Sequence, residues 1–104
     1  MICGRLFGVD YAPKVVLQLP IADKQALGPF VEACLRSGVI LVAIAGQGAD
    51  TVEEEIDWLV IGDGSDPARF LATTAHPDKR LEEVVAFAEA WATERDPEVQ
   101  LVRL

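Results

Sequence analysis

The stretch Val39-Ile40-Leu41-Val42-Ala43-Ile44-Ala45, followed at once by Gly46-Gln47-Gly48, decides the fold. An apolar run with no polar alternation predicts a strand covered on both faces. Helices must then lie on both sides of its sheet, and the glycine turn predicts an abrupt passage from this strand into a helix.

The flanking sequence repeats that alternation. Upstream, Val15-Val16-Leu17-Gln18-Leu19 ends at Pro20 and predicts the first strand. Leu27, Phe30, Val31, Cys34 and Leu35 then fall on one helical face. This helix should begin near Pro29, since proline suits the first helical position, and stop at Ser37-Gly38. Downstream, Asp50 and Glu53 fit a capping box, and Val52, Ile56, Leu59 and Val60 supply the buried stripe of a second helix. A strand over Trp58 to Ile61 is the rival reading of the same residues. Phe70-Leu71-Ala72-Thr73-Thr74-Ala75 predicts the third strand. Pro77-Asp78 opens a last helix with Leu81, Val84, Val85, Ala88, Trp91 and Ala92 inward, and Asp96-Pro97 closes it. Val99-Gln100-Leu101-Val102-Arg103-Leu104 is the fourth strand.

A β-α-β-α-β-α-β series with right-handed crossovers predicts a single three-layer α/β domain around a mainly parallel four-stranded sheet. The expected strand order is 2-1-3-4, a flavodoxin-like half. That order leaves the apolar 39–45 strand at an edge, which invites pairing with another chain, so either the order differs or the chain forms a homodimer through that edge.

The 104 residues include 9 Lys+Arg and 17 Asp+Glu, for a net charge of −8, and 51% of them are hydrophobic. The hydrophobic share argues against disorder. The negative charge argues against nucleic-acid binding and against anionic membrane surfaces, both of which need clustered Lys or Arg. No apolar run reaches signal-peptide or membrane-spanning length. Cys3 and Cys34 show no C-x-x-C spacing and predict reduced thiols in a cytoplasmic protein. One His and two separated thiols make no zinc set, and no metal or cofactor is expected.

In open parallel sheets ligands sit beyond the carboxyl ends of the strands, which selects Gln47, Asp50, Thr74 and His76 as ligand-site candidates. Gly46-Gln47-Gly48 has Thr51 where the dinucleotide pattern needs a third small residue, and no P-loop Lys, so it reads as a plain tight turn. His76 has the chemistry of a general base, with Asp78 near enough in sequence to orient it, but no nucleophile is recognisable. Ser37 is a helix stop, Ser65 sits in a turn and Cys34 falls on a buried face. No residue is therefore assigned a catalytic role.

The stronger signal is charge. Seven acids, Asp50, Glu53, Glu54, Glu55, Asp57, Asp63 and Asp66, occur between Ser37 and Pro67 with no Lys or Arg among them. Their spacing is not that of an EF-hand loop. Asp50, Glu53, Glu54, Glu55 and Asp57, with Trp58 standing off the apolar stripe as an anchor, suit a docking surface for a basic partner. The sequence thus favours a non-catalytic protein-interaction module, of inhibitor or immunity type, whose acidic second helix meets a basic partner. The alternative is a small-molecule-binding domain, or a minor enzyme, with its site at the strand ends around His76.

Glu55-Ile56-Asp57-Trp58, Thr73-Thr74-Ala75-His76 and Leu81-Glu82-Glu83-Val84 together resemble a small bacterial family of uncharacterised single-domain α/β proteins, over the C-terminal half of the chain. Ala75 departs from that family's pattern, which has an aromatic before the His. The resemblance implies bacterial origin and a compact α/β fold, and it carries no activity.

Overall fold

A computed structural model describes residues 11–66, 68–91 and 98–104. Cys3, Pro67, Ala92 and the Asp96-Pro97 helix stop lie outside these residues. The described chain runs β1 (Lys14–Gln18), α1 (Leu27–Ser37), β2 (Leu41–Ala45), α2 (Ala49–Ile61), β3 (Ala72–His76), α3 (Leu81–Ala90) and β4 (Val99–Arg103). All strand pairs are parallel, in the order β3-β2-β1-β4.

This order corrects the expected 2-1-3-4. The 39–45 run forms no edge: β2 is hydrogen-bonded to β1 on one side and β3 on the other, and all five of its residues are buried. A dimer through that strand has no free edge to use. The physical reason is the one that made the run conspicuous. A strand with no polar position is best covered on both faces and both flanks.

Handedness then places the helices. The chain steps from β1 to β2 to β3 in one direction, which puts α1 and α2 on the same face, and reverses to reach β4, which sends α3 across the other. The core divides accordingly. Val15, Leu17, Val42 and Ile44 meet Leu27, Phe30, Val31 and Cys34 of α1 and Ile56 and Val60 of α2. Val16, Leu41, Ala43 and Ala45 meet Val84 and Ala88 of α3. Each fully buried aliphatic side chain contributes roughly 1.5–3 kcal/mol relative to exposure, so the sheet's central pair anchors both halves.

Helix boundaries show where local rules held. Gly38 ends α1 at φ 78°, and its N–H donates to the carbonyls of Cys34 and Leu35. The start of α1 differs slightly from expectation: a 3-10 turn over Lys24–Ala26, capped by the Asp23 carboxylate accepting from the Gln25 N–H, leads into a helix beginning at Leu27. Trp58 to Ile61 is helical, which removes the strand reading. The expected capping box is corrected: Gly48 is the N-cap of α2, and Asp50 lies in the first turn with no capping bond. Such a bond forms at α3 instead, where the Glu83 carboxylate accepts from the Arg80 N–H at 3.1 Å.

Two side chains without an assigned role in the sequence hold helix ends. Lys14 is fully buried on β1, and its Nζ donates to the carbonyls of Glu89 at 3.2 Å and Trp91 at 2.8 Å, at the end of α3. Arg69 donates from Nε to the Val60 carbonyl at 2.7 Å and from Nη2 to the Leu59 carbonyl at 3.0 Å, at the end of α2. Its remaining donors grip Glu32 of α1 in a fork, Nη1 to Oε1 at 3.1 Å and Nη2 to Oε2 at 2.7 Å.

Candidate functional site

The acidic helix resolves into three faces. Val52, Ile56, Leu59 and Val60 turn toward the sheet, as their spacing demanded. Glu53 and Asp57, one turn apart, flank the adjoining strand: the Thr73 hydroxyl lies 3.1 Å from Glu53 Oε2 and 2.8 Å from Asp57 Oδ1. The outer ridge carries Glu54, Glu55, Trp58 and Ile61, at the three- and four-residue spacing that makes helical neighbours. Trp58 is 66% exposed and Ile61 50%, and Glu54 and Glu55 are exposed beside them.

The acidic candidates therefore separate. Glu53 and Asp57 spend part of their hydrogen-bonding capacity on β3, while Glu54 and Glu55 face solvent with Trp58. Asp50 is exposed in the first turn, where a carboxylate complements the helix dipole. Asp63 and Asp66 build the loop that follows. Asp63 Oδ1 accepts from the Ser65 hydroxyl at 2.6 Å and its N–H at 2.9 Å, and the hydroxyl contact leads in holding this carboxyl below its usual range. Asp66 Oδ1 accepts from the Ala68 N–H at 3.0 Å.

The strand-end candidates are not brought into one cavity. Thr74 and His76 lie on the α3 face of β3, with His76 Nε2 2.8 Å from Thr74 Oγ1 and the imidazole 4.7 Å from the Phe87 ring. Burial pushes the His76 pKa down; Glu53 opposes this and Lys79 adds to it. Gln47 and Asp50 are exposed at the start of α2. A small cavity at this end, about 130 Å³, is lined instead by Gln18, Leu19, Ala45, Gly46, Lys79 and Leu81. Drug-sized ligands need roughly 300–1,000 Å³.

The glycine turn has its own explanation. Gly46 sits at φ 123°, where a Cβ would lie 3.1 Å from the Leu19 Cβ, so the close approach of two strand ends requires glycine. Its N–H donates to the His76 carbonyl at 3.3 Å, so it is occupied within the sheet. Cys34 is buried, and burial pushes its thiol up to about 12, which leaves it inert. Among the described residues no group of three or more His, Cys, Asp or Glu is placed to hold a metal ion. Among the same residues no helix is long and apolar enough to cross a membrane.

Sequence reasoning missed a larger groove of about 470 Å³ at the amino ends of the strands, between the C-terminal half of α1 and the loop before β3. The Arg69–Glu32 pair forms part of its wall, with Arg36 and Phe70, and Phe70 is 74% exposed. The only sequence signal for it was an aromatic next to a base at the end of a polar loop.

A family model described as a domain of unknown function (DUF7684) matches residues 14–104, from the first residue of β1 onward. No curated protein and no solved structure matches the chain.

Proposed function

The chain belongs to the DUF7684 family, and we propose from its geometry that it is a non-catalytic, cytoplasmic protein-interaction module of inhibitor or immunity type. Its docking surface is the outer ridge of α2 and its partner is a basic protein. The observation that carries this reading is Trp58, 66% exposed on the same ridge as Glu54 and Glu55. The surrounding 38–66 stretch has no Lys or Arg to neutralise them.

Each part has a distinct physical task. Carboxylates around the ridge attract a basic surface, raise the encounter rate and disfavour acidic competitors. Trp58 and Ile61 supply apolar area that is desolvated on docking, and a buried interfacial Trp typically costs about 2 kcal/mol or more when truncated. The ridge is rigid because the opposite side of α2 is fixed by core packing, by Thr73 and by Arg69. Little conformational entropy is then lost when it docks.

Affinity capture with the immobilised chain tests this. One basic protein should be retained by the wild type, released by raised salt, and lost both from Trp58→Ala and from the combined Glu54→Lys, Glu55→Lys, Asp57→Lys variant. Circular dichroism checks that both variants stay folded. An unchanged retained set across all three chains overturns the reading.

A further inference from the structure

We propose that the chain self-associates through the outer side of β4, placing two copies of that strand antiparallel about a two-fold axis near Leu101 and joining the two sheets into one. Among the described residues the sheet has two free sides, β3 and β4, and they are not equivalent.

The β3 side is guarded. α2 packs along this strand, and Glu53 and Asp57 stand over Thr73 near its centre. Two copies meeting there would gather four carboxylates, and charge beside an edge strand is a common protection against pairing.

Among the described residues the β4 side lacks that protection. Val99, Gln100, Leu101 and Val102 carry no charge, and Arg103 is the strand's one ionisable residue. α3 lies mainly over β1 and β2 and reaches β4 only marginally, so Leu101, on the α3 face, is left 46% exposed. Pairing about Leu101 sets that side chain beside its own copy. It also sets Arg103 opposite Val99, so the strand's one ionisable side chain does not face its own copy. Directly opposite residues have Cβ atoms about 4.5–5.5 Å apart, close enough for two leucines to cover each other. The unpaired amides and carbonyls of an edge strand are complementary to themselves in this arrangement. An extended segment of another protein is the rival occupant, and it gives a different result in the test.

Light scattering on the full chain over a range of concentrations should show a species of twice the 11.3 kDa chain mass. Leu101→Lys should weaken self-association at least about tenfold, with an unchanged circular dichroism spectrum. Leu101→Cys should cross-link to itself on mild oxidation in the folded state, because opposed strand positions fall within the roughly 4.4–6.8 Å Cα spacing of a disulfide. Lys79→Cys, exposed elsewhere, should not. A chain that stays monomeric at every concentration overturns the proposal, as does a dimer whose strength is untouched by Leu101→Lys or in which Leu101→Cys fails to cross-link. None of these results depends on the α2 ridge, so this proposal and the docking reading fail separately.

Discussion

The C-terminal ends of α2 and α3 face the same problem and solve it differently. Neither helix has a basic residue in its last turn, and each leaves carbonyls and a partial negative charge at its end. Each end receives a cation from elsewhere in the chain. At α2 it is Arg69, partly exposed, forked onto Glu32 as well as onto two carbonyls. At α3 it is Lys14, wholly buried on the first strand, bonded to two carbonyls. One device works by ion pairing at the surface, the other by carbonyl dipoles in the interior. The contrast shows how an acidic chain can commit scarce bases to its backbone.

The largest effect should come from the buried end. Lys14→Met keeps the length of the stem and removes the ammonium, so the carbonyls of Glu89 and Trp91 lose their donor. Denaturant unfolding should show a loss of about 2 kcal/mol, within the range for leaving buried acceptors unsatisfied. A more stable variant would mean that the cost of burying the charge outweighs its bonds. Arg69→Ala should cost less, about 1–2 kcal/mol, because the Glu32 partner is half exposed and surface ion pairs contribute little beyond the two carbonyl bonds. For a domain near this size that lowers Tm by roughly 4–8 °C per kcal/mol. Arg69→Lys should recover less than half of the loss, since an ammonium cannot hold the fork and both carbonyls together.

The smallest effect is an acid dependence at the α2 end. The Arg69 hydrogen bond leads in holding the Glu32 carboxyl below its ordinary range. A depressed carboxyl contributes stability that is fully present above its unfolded pKa, about 4.3, and is lost as pH falls through the lower folded value. Wild type minus Glu32→Gln should therefore show a stability difference that shrinks below about pH 4, and by less than about 1 kcal/mol in all. The same comparison in an Arg69→Ala background should be flat.

Much of the fold was legible because β2 and α2 obey local rules. An unbroken apolar run names a doubly covered strand, and the stripe Val52, Ile56, Leu59, Val60 names a helix whatever surrounds it. Strand order was not legible, since the run shows that β2 is buried but not which strands flank it. Lys14 escaped for a related reason. A lysine before an apolar run reads as the solvent side of a strand, and its acceptors belong to a helix that arrives some seventy-five residues later. At the candidate site the acidic run was plain from composition. Its division was not, because the pairing of Glu53 and Asp57 with Thr73 depends on how α2 lies along β3.

Cys34 gives the interior an observable of its own. Its thiol lies between α1 and the two central strands and is held in the unreactive form. A disulfide reagent can reach it only when that packing separates. Where the reagent outpaces reclosing, the rate at which the sulfur is modified counts core openings one by one; where reclosing outpaces the reagent, it measures their free energy.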